Sequence, residues 1–443
     1  MWFPWAWMAL WAAAQAGHAL VSWHFVATGA ALLSSDGTGA GLHLYAAHPQ
    51  LQIGPLTFVA ATPLNDLPAW LSGSVAALII AATGPALLLS LSHLPHLTIT
   101  NRQRGLAATV LMPVWAELAV HYTHLDDALA LVLLMAGLHA VARCRPIPAA
   151  LLLAASADAK PWALAFVPLL LVLPRHRWHR AALVWLAAAA AAWLPFVLAD
   201  PRTLHAGGFS IPNVASSSLR ALGVAAASTP SWDRPVQLLV GVVLGVVAVR
   251  RGRWLVMPAV VLAVRMLLDP GAYPYYTAGL VLATILLDLG WRRTRWPWVS
   301  MAVVGGLYVV RYLGPSTPTN AQLGWLRAAT LLGVLAVALG PELRLLFDNG
   351  PGDRDGAQFR AARPGHQDLE NIMISDKTNG PTFSDPSLAA ASVLRRGPQS
   401  AARCCGRRLR QRAVPRPVLH HRDPGSVRNL LPGGGLASHT TSA

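Results

Sequence analysis

The chain has 443 residues, of which 54% are hydrophobic and only 12% are charged. A water-soluble protein of this size could not bury so much apolar surface, whereas a lipid bilayer accepts it. The net charge of +16 does not point to nucleic acid as a partner, because most basic residues before position 340 lie in short segments between apolar runs, where they set membrane topology. Composition therefore predicts an all-α, polytopic bundle of membrane helices in contact with lipid.

A helix needs about 20 apolar residues to cross the hydrocarbon core. About ten runs are predicted to do so, at residues 1–22, 67–91, 106–121, 127–142, 181–199, 236–249, 254–268, 276–289, 297–313 and 326–340. The first is interpreted as a retained span rather than a cleaved signal peptide. Residues 23–66 contain no Lys or Arg, so they are predicted to lie outside, with the basic junctions in the cytoplasm. This topology places both termini of a plasma-membrane protein in the cytoplasm.

Residues 147–173 do not fit a simple crossing, because basic residues flank them on both sides, namely Arg143, Arg145, Arg175, Arg177 and Arg180. A helical hairpin of two short pieces, broken between Ala157 and Pro161, resolves the conflict, since Pro161 disfavours helical geometry at Lys160. Broken backbone at membrane depth is tolerated only beside protein or a water-filled cavity. Asp158 and Lys160 are therefore expected near a cavity, with one tilted span as the alternative.

The last part of the chain has a different composition. From Asn349 onward hydrophobicity falls and Arg, Gly, Pro and Ser dominate, which predicts a disordered basic tail over 349–443 after a transmembrane domain over 1–348. The three cysteines, Cys144, Cys404 and Cys405, show no metal-ligand spacing. The sequence also contains no glycine-rich phosphate loop, zinc signature or nucleophile elbow, so neither a cofactor nor a metal ion is predicted.

The junction "ELAVHYTHLDDALAL" is the densest polar cluster near the predicted membrane. Glu117 and His121 lie four residues apart and share one helical face. Asp126 and Asp127 begin the next span, where carboxylates meet the positive end of the helix dipole. An acid inside a span is costly in hydrocarbon, so Glu117 should face the bundle or water. A functional site is one interpretation; an internal Glu–His hydrogen bond with ordinary N-capping is the other.

The first outer segment, residues 23–66, contains His24, Asp36 and His48 among its polar residues. A histidine or an aspartate can present the lone pair that a general base needs. The aromatic residues of this segment could stack on a sugar face, although anchoring at the membrane interface is the alternative.

Two arginines, Arg265 and Arg311, lie at the predicted outer ends of their spans. Guanidinium groups suit phosphate because they donate two parallel hydrogen bonds. The alternative is an ion pair of Arg265 with Asp269, four residues later, or snorkelling of the side chain to the interface.

Five stretches carry a family resemblance: "HFVATGAALL", "LQIGPLTFVAATPL", "HLDDALAL", "AALLLAASADAKPWALAFVPLLLVLPRHRW" and "YPYYTAGLVL". Together they resemble the C-superfamily of integral-membrane glycosyltransferases, especially the polyprenyl-phosphate-mannose-dependent mannosyltransferases of actinobacteria. The resemblance covers about residues 1–340 and implies transfer of a hexose, such as mannose, from a polyprenyl-phosphate sugar donor to a lipid or glycan acceptor on the outer face.

The resemblance also implies residue roles. The family has its catalytic carboxylate just after the first span, where this chain has His24. His24 or Asp36 is then the expected base, with Asp126 and Asp127 as substitutes. Substrate or phosphate binding is expected at His48, Glu117, His121, Lys160, Arg265 and Arg311. Lys160 is expected nearer the cytoplasmic side, where it would organise the helix break rather than take part in chemistry.

Two other hypotheses remain at this point. In a transporter or flippase, Glu117, His121, Asp158 and Lys160 would line a path for protons or substrate. In a catalytically inactive relative, the histidine at position 24 would mark the loss of transfer activity.

Overall fold

A computed structural model of the chain describes residues 2–95, 97–313 and 318–340. Within these ranges the protein is all-helical; they contain no β-strand, and the extended pairing there is an isolated bridge between Pro212 and Ser228. The predicted tail over 349–443 lies outside the described residues, as do positions 341–348 at the end of the predicted transmembrane domain.

Fifteen α-helices follow one another in the described part of the chain: α1 Phe3–Gln15, α2 Trp23–Leu33, α3 Leu44–Ala47, α4 Pro55–Asn65, α5 Ala69–Ser90, α6 Asn101–Ala116, α7 Leu125–Ala142, α8 Pro146–Ala159, α9 Trp178–Ala199, α10 Ser218–Ala221, α11 Asp233–Arg250, α12 Met257–Leu268, α13 Tyr276–Ile285, α14 Trp298–Leu307 and α15 Asn320–Leu339. Wider π-helical turns continue α6 and α13, over Glu117–Tyr122 and Leu286–Trp291. A 3₁₀ helix, Pro161–Val172, follows α8.

Four of the described helices are long and apolar enough to cross a membrane: Ala69–His93, Leu125–Ala142, Arg175–Ala199 and Asn320–Leu339. A fifth crossing is counted when Phe3–His18 is taken together with α2, although the two are bent by 81°. The prediction of about ten spans is therefore not supported, whereas the predicted helical bundle with several apolar helices agrees with the structure.

Breaks in the helices explain the lower number of spans. The predicted span over 106–121 is divided at Glu117, where α6 passes into π-helical turns. The runs over 254–268, 276–289 and 297–313 form apolar helices of only 10–17 residues. At 1.5 Å per residue these cover about 15–26 Å, which is less than the ~30 Å of a hydrocarbon core. Hydropathy records the apolar composition of a run but not where its helix ends.

The surface of the helix Arg175–Ala199 indicates a membrane environment. Its mean hydropathy is 2.1, and only 11% of its most apolar window is buried inside the protein. Leu183, Leu186 and Leu198 are all exposed along it. Soluble proteins rarely expose an apolar surface of this extent, so we assign it to contact with lipid.

Helices α7 and α8 pack against each other in the main core. The Ser156 hydroxyl donates to the Ala130 carbonyl at 2.8 Å, and the missing side chain of Gly137 leaves room for Leu153. The chain turns back between the two helices, at residues 143–145, so the end of α8 returns to the level at which α7 begins. This packing brings the helix break at Lys160 to the two carboxylates of α7.

Residues 23–66, called the first outer segment after the prediction that they lie outside, are mostly helical. Helices α2, α3 and α4 share a second, smaller core with Phe196 of α9, and this core buries Tyr45 and Phe58. The Gly54 amide donates to the Ala159 carbonyl at 3.0 Å, and the Thr57 hydroxyl donates to the same oxygen at 3.1 Å. A Cβ atom on residue 54 would overlap the backbone carbonyl of Asp158. The segment therefore docks directly on the helix break.

A second segment, after α9, joins the first one. Arg202 donates from Nη2 to Asp200 at 2.7 Å, and its hydrogen bonds hold the pKa of that carboxyl at about 2. His43, in the first segment, lies 3.8 Å from the same carboxylate. The Gln52 amide also donates to the Phe209 carbonyl at 3.2 Å. Polar contacts thus connect the two segments at the same end of the bundle.

Candidate functional site

Two adjacent carboxylates begin α7. Asp126 is fully buried and Asp127 nearly so, and both lie in the first turn of the helix, where the positive end of its dipole favours negative charge. The chain reaches this position through Thr123, which adopts a left-handed conformation with φ of 53°. This turn ends the π-helical segment and directs the next residues into the bundle.

Lys160 approaches the same carboxylates from the helix break. Its backbone is extended, with φ of −146° and ψ of 115°, as expected for a residue before proline. The ammonium group donates to Asp126 and lies 3.6 Å from Oδ2 of Asp127. The predicted break is therefore confirmed, whereas the expectation that Lys160 lies nearer the cytoplasmic side stays a prediction. Packing of α8 on α7 places Lys160 beside Asp126 and Asp127.

Three aromatic side chains complete the group. His124 Nδ1 lies 3.1 Å from Oδ1 of Asp126, and its ring stacks on Tyr275 with centroids 3.7 Å apart. The Trp162 indole donates to Oδ1 of Asp127 at 3.1 Å. We call Asp126, Asp127, Lys160, His124 and Trp162 the carboxylate–lysine cluster.

The two carboxylates differ in how their oxygens are occupied. Asp126 contacts Lys160 and His124, whereas Oδ2 of Asp127 is buried and accepts no hydrogen bond. A buried acceptor without a donor is costly, and Lys160 and His124 approach this oxygen only to 3.6 and 3.7 Å. Asp127 therefore offers the free lone pair at which a proton could be received.

A small cavity lies beside Asp127 and extends to Arg265. Its volume is about 10 Å³, about the space that one water molecule needs. Tyr275 and Tyr276 also line it. The Arg265 guanidinium lies 3.9 Å from the centre of the Tyr276 ring and 4.8 Å from that of Trp162. A proton acceptor and a cation thus face the same space.

Arg265 does not form the ion pair with Asp269 that was one interpretation of their spacing. No nitrogen–oxygen contact of 4.0 Å or less joins these two described residues. Its recorded contacts are with the faces of Trp162 and Tyr276, which attract a cation through their quadrupoles. A cation–π contact does not engage the guanidinium N–H groups in hydrogen bonds as a carboxylate would. The N–H groups of Arg265 can therefore donate to an anion.

A second polar group lies at the π-helical end of α6. Glu117 is buried, and its Oε1 is 3.8 Å from Nη1 of Arg311. Oε2 of Glu117 and Nδ1 of His121 are buried without hydrogen-bond partners, so the interpretation as an internal Glu–His hydrogen bond does not hold. Tyr122 connects this group to the carboxylate–lysine cluster through Tyr275: the two tyrosine rings are 5.1 Å apart, and Tyr275 stacks on His124 of the cluster.

His24, Asp36 and His48 of the first outer segment do not join these groups. His24 is exposed on α2 and its ring packs on Phe25. Asp36 is exposed in the turn after α2, and His48 is half-buried where α3 ends. No recorded hydrogen bond or ion pair connects any of the three to the carboxylate–lysine cluster. The structure therefore brings together Asp126, Asp127, Lys160 and Arg265 but not His24, Asp36 and His48.

Three members of the site were not singled out as functional from the sequence: Trp162, Tyr275 and Tyr276. Each lies in a stretch that the resemblance includes, after Pro161 or within "YPYYTAGLVL". Trp162 could have been identified from the sequence, because its indole N–H donor directly follows the proline that breaks the helix. The tyrosines could be placed only by packing between distant helices.

The cluster also has a spacing that a metal ion could use. Ligand atoms of His124, Asp126 and Asp127 lie within 4.8 Å of one another. The Lys160 ammonium already contacts Asp126 and supplies positive charge there. A divalent ion at this position would have to compete with that ammonium.

No family model, curated protein or solved structure matches this chain. The family resemblance therefore stays a prediction. The carboxylate–lysine cluster, the cavity and Arg265 are the observations on which a functional hypothesis can be built.

Proposed function

We propose that the protein is a plasma-membrane glycosyltransferase that moves a hexose, in the first instance mannose, from a polyprenyl-phosphate donor to a hydroxyl of a lipid or glycan acceptor on the outer face. The observation that carries this proposal is the cavity that Asp127 and Arg265 both line, together with the absence of a hydrogen-bond donor at Oδ2 of Asp127. Transfer of a phosphate-linked sugar needs these two functions, a proton acceptor and a cation for the departing phosphate.

The proposed chemistry uses Asp127 as the general base. Its carboxylate takes the proton of the acceptor hydroxyl as the hydroxyl oxygen attacks the anomeric carbon. The bond from that carbon to the phosphate oxygen breaks, and polyprenyl phosphate leaves with the electron pair beside Arg265. A single displacement inverts the anomeric configuration. This assignment prefers Asp127 to His24 and Asp36, because those two side chains are exposed and form no hydrogen bond or ion pair with the cluster.

Lys160 has a positioning role in this proposal. Its ammonium contacts Asp126 and lies 3.6 Å from Oδ2 of Asp127, so it supplies positive charge beside both carboxylates and fixes their position. The cavity is about the size of one water molecule, enough for a reacting hydroxyl but not for a sugar. Tyr275 and Tyr276, where α13 begins, would have to move aside when the donor binds.

The test is transfer of radiolabelled mannose from polyprenyl-phosphate mannose by purified protein in liposomes. Asp127→Asn keeps the shape of the side chain but removes the base, so we expect at least a ~100-fold lower rate. His24→Ala and Asp36→Ala serve as matched controls on the outer segment, and each should stay within about threefold of the unmodified protein.

An Asp127→Asn variant that folds and transfers sugar at the unmodified rate would contradict this assignment. If His24→Ala loses transfer while Asp127→Asn stays active, the general base lies in the outer segment.

A second candidate function, proton-coupled transport, is favoured by one observation. Glu117 is buried with Oε2 unpartnered, and ionisable residues inside membrane proteins often form proton pathways. Uptake into vesicles that follows a proton gradient and is lost in Glu117→Gln, without glycosylated product, would support this alternative over sugar transfer.

A further inference from the structure

Arg327 is a buried arginine whose hydrogen-bond donors are partly without partners. Arg327 lies on α15 with only 7% of its surface exposed, and its Nε and Nη2 atoms are buried without partners. Guanidinium donors are seldom left unbonded in a protein interior, because the group has given up its bonds with water. The orientation of Arg327 therefore points to a ligand that accepts hydrogen bonds.

Two further arginines surround the same region. Arg234, Arg265 and Arg327 all interact electrostatically with Asp269. In the described part of the chain, no guanidinium nitrogen of these three arginines lies within 4.0 Å of an Asp269 carboxylate oxygen. Oδ1 of Asp269 instead accepts the Gly271 amide at 2.7 Å. The three cations thus act on Asp269 electrostatically without an ion pair or hydrogen bond to it.

The contacts of the neighbouring residues supply no acceptor for the buried donors of Arg327. Arg234 donates one hydrogen bond, from Nη2 to the Phe209 carbonyl at 2.9 Å. The second acid nearby, Asp233, accepts a hydrogen bond from Gln237 at 2.7 Å and is fully buried. Neither acid therefore accepts a hydrogen bond from Arg327, whose Nε and Nη2 atoms stay without acceptors. A bound anion would supply these acceptors.

We propose that Arg327, together with Arg265 and Arg234, binds a phosphate group. Guanidinium forks match phosphate oxygens in geometry and charge. Arg265 also lines the cavity beside Asp127, so the anion lies between that cavity and α15. The binding of phosphate at this site does not depend on sugar transfer. The identification of that phosphate as the departing polyprenyl phosphate rests on the proposed function.

The test measures binding to the full-length protein in detergent. The probes are radiolabelled inorganic phosphate, farnesyl phosphate and, as the uncharged counterpart, farnesol. We expect farnesyl phosphate to bind and Arg327→Gln to weaken that binding at least tenfold, with Arg327→Lys intermediate because a point charge replaces the fork. Arg202→Gln is the matched control, since Arg202 is exposed and already paired with Asp200, and it should leave binding unchanged.

The melting temperature without ligand separates a binding role from a structural one. Because Arg327→Gln removes buried donors that have no partner, it should not lower this temperature, whereas a residue needed only for folding would lower it. Equal binding of inorganic phosphate and farnesyl phosphate supports the site with a free anion as its source; stronger binding of farnesyl phosphate supports a lipid head group.

Unchanged binding of both phosphate probes in a folded Arg327→Gln variant would overturn the inference, as would equal binding of farnesol and farnesyl phosphate. Phosphate binding that depends on Arg327, in a protein without sugar transfer, would contradict only the proposed function. Transfer that survives Arg327→Gln with unaltered phosphate binding would contradict only this inference.

Discussion

Replacement of Lys160 by methionine should both destabilise the protein and abolish its proposed activity. Methionine keeps the length of the side chain but leaves Asp126 and Asp127 buried side by side without the ammonium that contacts them. Removing one partner of a buried ion pair costs about 3–5 kcal/mol, because the other charge stays buried and uncompensated. We expect a clearly lower melting temperature in detergent and at least a ~100-fold slower sugar transfer.

A double variant separates charge balance from packing. Lys160→Met combined with Asp126→Asn removes the ammonium and one carboxylate, so much of the lost stability should return, since replacing both members of a buried pair is often nearly neutral. Sugar transfer should stay low, because Asp127 still lacks its neighbouring cation. Equal melting temperatures for Lys160→Met and the unmodified protein would show that Lys160 does not compensate the two acids.

The second large effect is expected at Gly54, where the outer segment contacts the helix break. An added methyl group would overlap the Asp158 carbonyl, and this neighbour is backbone, which cannot rotate away. Overpacking of this kind costs about 1–3 kcal/mol. It would also displace the segment whose amide donates to Ala159, directly before Lys160. Gly54→Ala should therefore lower both the melting temperature and the transfer rate.

Gly207→Ala is the matched control for this experiment. Gly207 lies in the second segment, which follows α9, and a Cβ atom there would have no neighbour within 4 Å. Its melting temperature and transfer rate should match those of the unmodified protein. If Gly54→Ala and Gly207→Ala behave alike, close docking of the outer segment is not required for the site.

Local chemistry made parts of the site predictable. Pro161 imposes extended geometry on the residue before it, so the break at Lys160 followed from two adjacent residues. The position of Asp126 and Asp127 at the start of a helix followed from the preference of carboxylates for the positive dipole end. Each of these inferences needed only neighbours in the chain.

Pairing across the fold was not predictable in the same way. Lys160 and Asp126 are 34 residues apart, and their contact depends on how α8 returns along α7. Arg327 lies more than 50 residues beyond Arg265 and Asp269 along the chain, so no local pattern connects it to them. The outer segment was expected to supply the base, yet the second, smaller core leaves His24 and Asp36 exposed.

The number of spans was overestimated for a related reason. Apolar composition continues through Glu117 and through the short helices after α11, whereas helical geometry does not. A hydropathy window averages over such breaks, and it therefore counts as full crossings several helices that are too short to cross.

The most direct test of the account asks which side of the membrane carries the outer segment and, with it, the carboxylate–lysine cluster. In a variant with all three cysteines replaced by serine, a single cysteine is introduced either by Gly37→Cys or by Arg102→Cys, both at exposed positions. We predict that an impermeant maleimide labels the Gly37→Cys protein in intact cells, and the Arg102→Cys protein only after the membrane is permeabilised. The opposite pattern would place the cluster on the cytoplasmic side and contradict transfer at the outer face.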